Sequence, residues 1–324
     1  MKKLFLTFTL VAGVFIVASA GAYACDFCLI SQGISPLDTF KDSGIRINQR
    51  YTLMNRVYDG SEAITIGDEA REEYWTTEIA GFYGITDDIT LLAIVPIRKA
   101  ILDGHLHVHE DNATEVHPDK GDEYGLGDVA LIGRYSFFKR HTLEGATTVA
   151  GLAGVKLPTG KTDGRTSDGE DYLDAHLQLG SGSTDFLIGL SFNHAVQRLS
   201  ISANLLAAIT TTGEAGEDDH RFGNVLNYDM TAKYRAHPSG AGPSGAQLFL
   251  ALGVNGELRG AEEENGEELP NSGGHTLYLT PGAELRLAPA WVFEISYGEP
   301  IYHDLNGIQL AEDYKVNSAI TYLF

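Results

Sequence analysis

The stretch Asp313-Tyr314-Lys315-Val316-Asn317-Ser318-Ala319-Ile320-Thr321-Tyr322-Leu323-Phe324 decides how the rest of the chain is read. Tyr314, Val316, Ile320, Tyr322 and Phe324 fall on one side of an extended chain, and Lys315, Asn317, Ala319 and Thr321 fall on the other. Successive side chains of a β-strand point to opposite faces, so a period of two predicts a strand with one apolar face. Whether that face meets protein or lipid fixes the fold class.

An alternating strand that ends on an aromatic resembles the closing strand of bacterial outer-membrane barrels, which implies lipid. The other end of the sequence agrees. Met1-Lys2-Lys3 is a positive head, residues 4–18 are apolar, and Ala22-Tyr23-Ala24 is a small-x-small cleavage site. Residues 1–24 are therefore predicted to be a removed signal peptide. Beyond them no run of 18 apolar residues occurs, so no spanning helix is expected. A closed barrel is then the remaining way to cross a bilayer with every backbone group paired. Net charge is −21, or −23 once Lys2 and Lys3 leave (−21 − 2). Nucleic acid, which needs a basic surface, is excluded as a partner.

Twelve segments alternate: 45–56, 72–84, 89–101, 127–138, 146–157, 176–196, 199–212, 224–237, 246–259, 275–287, 291–302 and 313–324. Short connections at 85–88, 139–145, 197–198 and 288–290 alternate with long acidic ones. This predicts an all-β chain: one closed antiparallel transmembrane barrel over 44–324 of about 12 strands, with short periplasmic turns and long acidic extracellular loops. Residues 25–43 would precede it as a periplasmic segment able to plug the mouth. Ile45, Ile47, Tyr51 and Leu53 are assigned to lipid. Arg46, Arg50, Glu78, Asp128, Arg134, Asp229, Lys233, Arg235, Glu284, Arg286 and Lys315 are assigned to the lumen. A Lys or Arg facing lipid at mid-bilayer costs about 2–4 kcal/mol, so inward placement is enforced and carries no functional information by itself. Aromatics recur near strand ends (Trp75, Tyr83, Tyr135, Trp291, Tyr322), as interfacial girdles do.

Three motifs carry a family resemblance. They are Gly125-Leu126-Gly127-Asp128 running on to Gly133-Arg134-Tyr135, then Lys156-Leu157-Pro158-Thr159-Gly160, then Gly180-Ser181-Gly182-Ser183-Thr184-Asp185. In this order they resemble the putative outer-membrane transporter family of the MetA pathway of phenol degradation. The resemblance implies an outer-membrane transporter of hydrophobic or aromatic small molecules. From the residues alone, Pro158 and Gly160 mark where a strand leaves the sheet, because Pro lacks a ladder donor and Gly permits a sharp exit.

Two further clusters bear chemistry. Cys25-Asp26-Phe27-Cys28 holds the two cysteines of the chain, in an envelope that favours oxidised thiols. A disulfide or redox pair, a pair of metal ligands and a lipidated Cys25 all remain open; no His follows Cys28 to make a haem-attachment site. Asp103-Gly104-His105-Leu106-His107-Val108-His109-Glu110-Asp111, with His117 beyond, puts His105, His107 and His109 on one face about 6.6–7 Å apart. Imidazoles with carboxylates suit a divalent transition metal, and a solvated polar loop is the simpler reading. No nucleophile elbow, phosphate-binding loop or HExxH helix is present, so no enzyme activity and no cofactor beyond such a metal are expected.

The combined expectation is an outer-membrane channel that passes small solutes passively, with membrane lipid, the solute and the outer-membrane assembly machinery as partners. The alternatives are a structural or metal-binding barrel without transport, and a cation- or metal-selective pore.

Overall fold

The computed structural model describes residues 43–67, 69–108, 114–238, 245–287 and 290–324. The expected signal peptide and the Cys25–Cys28 segment lie outside them. Twelve strands make the wall: β1 (Gly44–Asp59), β2 (Arg71–Gly84), β3 (Ile89–Val108), β4 (Val129–His141), β5 (Gly145–Leu157) and β6 (Asp185–Val196). β7 (Leu199–Ile209), β8 (Val225–His237), β9 (Gln247–Arg259), β10 (Gly274–Leu287), β11 (Trp291–Leu305) and β12 (Ile308–Leu323) complete it. Each pairs antiparallel with its neighbours in sequence, and β12 returns to β1, with Gly44 opposite Leu323 and Asp59 opposite Ile308. Closure removes the sheet edge, and with it the unpaired N–H and C=O groups that lipid cannot satisfy.

The alternation sorts the faces. Ile45, Ile47, Leu131, Tyr135, Met230, Tyr234, Leu252 and Ile320 are exposed on the outside, while Arg46, Asn48, Arg50 and Thr321 are buried inside. An exposed apolar band of this extent, carried round the whole wall, is a surface made for lipid, and it places the chain in the outer membrane. Aromatic rings edge the band. Trp291 lies 4.8 Å from Tyr322, which lies 6.3 Å from Phe324, near the short-turn end. Trp75, Tyr51, Tyr314 and Tyr297 form a chain nearer the other end, with centroids 4.5, 5.9 and 5.8 Å apart.

Four details differ from the expectation. The sixth strand begins at Asp185, not near His176, because 175–177 form a single 3-10 turn inside a folded connection. The stretch after Asp103 is no loop: β3 runs on to Val108 and pairs with a further strand, Thr114–Leu126, beyond the barrel wall. β11 and β12 extend to a two-residue turn, Asn306-Gly307, with Gly307 at φ 60°, a conformation glycine adopts without a Cβ penalty. Leu53, assigned to lipid, is buried, because the β1–β12 register shifts at Leu53–Met54.

The faces make a direct test. Met230 is 57 % exposed at mid-strand, and Met230→Arg should cost about 2–4 kcal/mol of folded barrel. Ser202→Ala, on the inner face where the Ser202 hydroxyl has no partner among the described residues, should cost under about 1 kcal/mol. Urea titration of the two variants in vesicles, read by heat-modifiable gel migration, checks the difference; equal costs would contradict the assignment of faces.

Candidate functional site

The inner surface has two unlike walls. One, formed by β7–β12 and β1 with Glu78 of β2, is polar and charged, and most of its charges are paired. Arg46 meets Glu294. Arg50 lies 2.9 Å from Glu78, which also accepts from Asn48 at 3.1 Å. Lys233 lies 2.8 Å from Glu284, and Arg286 binds the other oxygen of Glu284 at 2.5 Å. Lys315 lies 2.6 Å from Glu312 and 4.5 Å above the Tyr278 ring. Asn204 donates to Asp229 at 3.0 Å. A buried charge persists only when paired, so these contacts follow from burial. On β4, Arg134 donates to Ser136 at 2.7 Å. Arg235 is half-buried, and Arg286, near the short-turn end, has a half-exposed side chain.

The opposite wall carries an apolar strip, flanked by inward polar residues such as Thr90, Thr148, Ser191 and Asn193. Ala80 and Phe82 of β2, Leu92 and Ile94 of β3, Ala130 and Ile132 of β4, Leu152 of β5, Leu187 of β6 and Leu206 of β7 make one continuous inward-facing cluster. This strip was not foreseen. Its signal was in the sequence: Leu91-Leu92-Ala93-Ile94-Val95, Ala130-Leu131-Ile132 and Phe186-Leu187-Ile188 are apolar at both parities. A strand apolar on both faces reads as a near-continuous apolar run, and here the second face is the lumen.

The connection 158–184 folds over the outer mouth instead of standing into solvent. Its anchor is Asp128, which accepts from Gly160 N at 2.9 Å, Ser181 N at 2.8 Å and Ser181 Oγ at 2.7 Å. Lys156 lies 2.5 Å from Asp185 and 3.5 Å from Asp128. Arg98 donates to the Gln178 and Leu179 carbonyls at 2.8 and 3.1 Å, and the fully buried Gln178 side chain ties Gly164 and Leu173. Gly160 and Gly180 meet backbone to backbone; a Cβ on Gly160 would lie 2.5 Å from Gly180 Cα. Leu173 and Leu177 then pack on Met54, Val57, Tyr74, Ala100, Leu102 and Leu310. His176 Nε2 sits 3.0 Å from Glu72. The three motif segments are thus one device that seats this cap. Asp128, read from the alternation as a lumen group, is buried and spends its oxygens on the cap.

Two acidic connections join each other above the wall. Strands Gly213–Ala215, Asp218–Arg221, Glu263–Glu264 and Glu267–Glu268 form a small sheet, held by His220 on Glu262 at 3.0 Å and Arg221 on Glu263 at 2.8 Å. A polar cleft of about 460 Å³ lies between this sheet and the cap, lined by Pro158, Thr162, Glu214 and Asp219 among others.

The wall itself has a seam. The β11–β12 ladder runs from Trp291–Tyr322 to Gly298–Lys315 and stops, although both strands continue to Leu305 and Ile308. Pro300 has no N–H to offer a ladder there. The β11–β12 tip is pinned by Gly60 N to Gly307 O and Leu305 N to Gly60 O, both 3.1 Å.

The histidines lie on the projecting hairpin. His105 and His117 are in register, with ring centroids 6.5 Å apart, and His107 lies 5.5 Å from His117. His105 faces Asp174 at 3.5 Å, and His117 faces Glu115 and Asp119 at 3.9 Å. His109 lies outside the described residues. Among those described, no three His, Cys, Asp or Glu side chains are arranged to hold a metal ion.

No family model matches the sequence, and a search of curated proteins finds no match. Solved structures do match. An outer membrane channel from Pseudomonas putida F1 superposes with a TM-score of 0.63 at 14% identity, over 87% of this chain and 96% of that one. The β domain of the Bordetella autotransporter BrkA gives a TM-score of 0.43 at 12% identity, over 87% and 100%. A Pseudomonas aeruginosa FadL homologue gives 0.37 at 10% identity, over 95% and 98%. The chain shares the fold of the first.

The anchor of the cap is testable. Asp128→Ala removes three accepted hydrogen bonds, each worth about 1.5–3 kcal/mol when charge-assisted and not fully additive. The barrel should still assemble, the cap should come free, and single-channel conductance in planar bilayers should rise. An unchanged conductance would show that 158–184 does not obstruct the mouth.

Proposed function

We propose that this barrel is a passive outer-membrane channel for small hydrophobic solutes, aromatic compounds among them. The observation that carries the reading is the apolar strip from Phe82 to Leu206. The strip's side chains are buried on one another (Leu92 and Ile132 are 2 % exposed), and a buried Leu or Ile gains about 1.5–3 kcal/mol over exposure to water, so the interior at this level is a dry apolar layer. A lumen wall kept apolar over six strands makes sense where the passing molecule is itself apolar. The resemblance to the MetA-pathway transporters supports the same substrate class, and the P. putida fold neighbour is described as an outer membrane channel. No residue of the reading is asked to do chemistry; binding and release alone move the solute.

Uptake of a radiolabelled aromatic hydrocarbon into vesicles carrying the protein tests the reading. Leu152→Asp and Ile132→Asp should each cut that uptake several-fold while small-ion conductance persists. Parallel loss of both, or loss of neither, would count against the strip as the solute path.

A cation-selective pore is the second reading, favoured by the acidic sheet at the outer mouth. If ions pass, cation preference should be strong in dilute salt and fade in concentrated salt, since charge is screened beyond about 8 Å at physiological strength. Reversal potentials at two salt concentrations measure it. Salt-independent preference would remove the acidic loops from the path.

A further inference from the structure

We propose that segment 158–184 is a lid whose seating over the outer mouth depends on the proton held by His176 against Glu72, so that external pH opens and closes the barrel. The geometry carries the proposal. His176 rides on the cap, between Leu173 and Leu177, which fill the apolar mouth. Its Nε2 lies 3.0 Å from Glu72 on the wall, and Tyr74 donates to Glu72 at 2.6 Å. Glu72 is buried and the His176 side chain is 15 % exposed, so attraction between imidazolium and carboxylate is only partly screened, and a neutral imidazole keeps a hydrogen bond but loses the charge.

The groups facing His176 are carboxylates from every side. Glu72 comes from β2, Asp174 from the cap itself, and Glu262 from the β9–β10 connection, where His220 holds it at 3.0 Å. His105 of β3 reaches Asp174 at 3.5 Å. Burial alone would lower the His176 pKa, but Glu72, with Asp174 and Glu262, outweighs it and holds the pKa at about 9. A raised pKa favours the seated state fully below the ordinary value near ~6.5, and the advantage is lost as pH rises through about 9. The lid is therefore seated at neutral pH and loosens in alkali. The channel role rests on the function proposed above; the lid movement does not.

Trypsin added outside vesicles tests the lid through Lys161 and Arg165, both carried on it, with rates normalised to a free peptide at each pH. Cleavage of the wild type should be slow at pH 7 and at least roughly tenfold faster at pH 9.5, a factor of ten being one unit of coupled shift. His176→Gln should cleave fast at both pH values. Glu72→Gln should do the same and replaces it if the first variant fails the heat-modifiable migration check. Equal wild-type rates at the two pH values, or an unchanged pH step in a folded variant, would overturn the proposal. Conductance is measured alongside, with pH changed on one side at a time. A pH step in cleavage with no conductance or uptake at either pH keeps the lid and sinks the channel function, whereas a pH step in cleavage beside a steady conductance overturns the gating.

Discussion

Lipid cannot hydrogen-bond a peptide group, and the closure of the wall and the placement of its charges follow from that constraint. It forces the twelve strands to close, so that Gly44 pairs with Leu323 and no edge remains. It forces the charged residues of the wall inward, and once inward they must find partners, which is why Arg50 meets Glu78 and Lys233 meets Glu284. The charged wall is thus a consequence of the solvent outside. It says little about what passes through.

The informative parts are the places where that constraint did not require the residue that is there. Nothing in membrane physics asks Phe82, Ile94, Ile132 or Leu187 to be apolar on the inner face. Nothing asks the connection 158–184 to bend back and bury Gln178 and Leu177, when the other long connections carry most of their acids into solvent. And a fully laddered wall would be the more stable one, yet the β11–β12 ladder ends at Gly298–Lys315. Strip and cap together describe an interior that is dry and covered from outside.

The cap also shows how a polar device works inside such a barrel. Asp128 is held by backbone and hydroxyl donors, with Lys156 nearby as counter-charge. The cap then touches the far wall through two leucines and one imidazole–carboxylate pair. The apolar contacts do not depend on pH and the ionic pair does. A lid built this way can be released without dismantling its hinge.

Much of the fold was legible because its signal is local. Period-two alternation needs no knowledge of partners, so twelve strands and most of their faces could be read from residues such as those of 313–324, but not the start of the sixth strand at Asp185 or the inward face of Leu53. The strip could have been read too, from runs apolar at both parities, had the second face been recognised as lumen. Other features had no local signal. Sequence placed Asp128, Lys156, Gly160, Ser181 and Asp185 in order along the chain but not in one place; their convergence depends on β4, β5 and β6 being neighbours and on the cap turning inward. The pairing of His176 with Glu72 joins residues that the closed wall alone brings together, and the histidines of β3 were readable as a face but not as the side of a hairpin. A strand's faces follow from its own bonds, whereas a contact across a barrel follows from tilt, register and closure, which only the assembled sheet fixes.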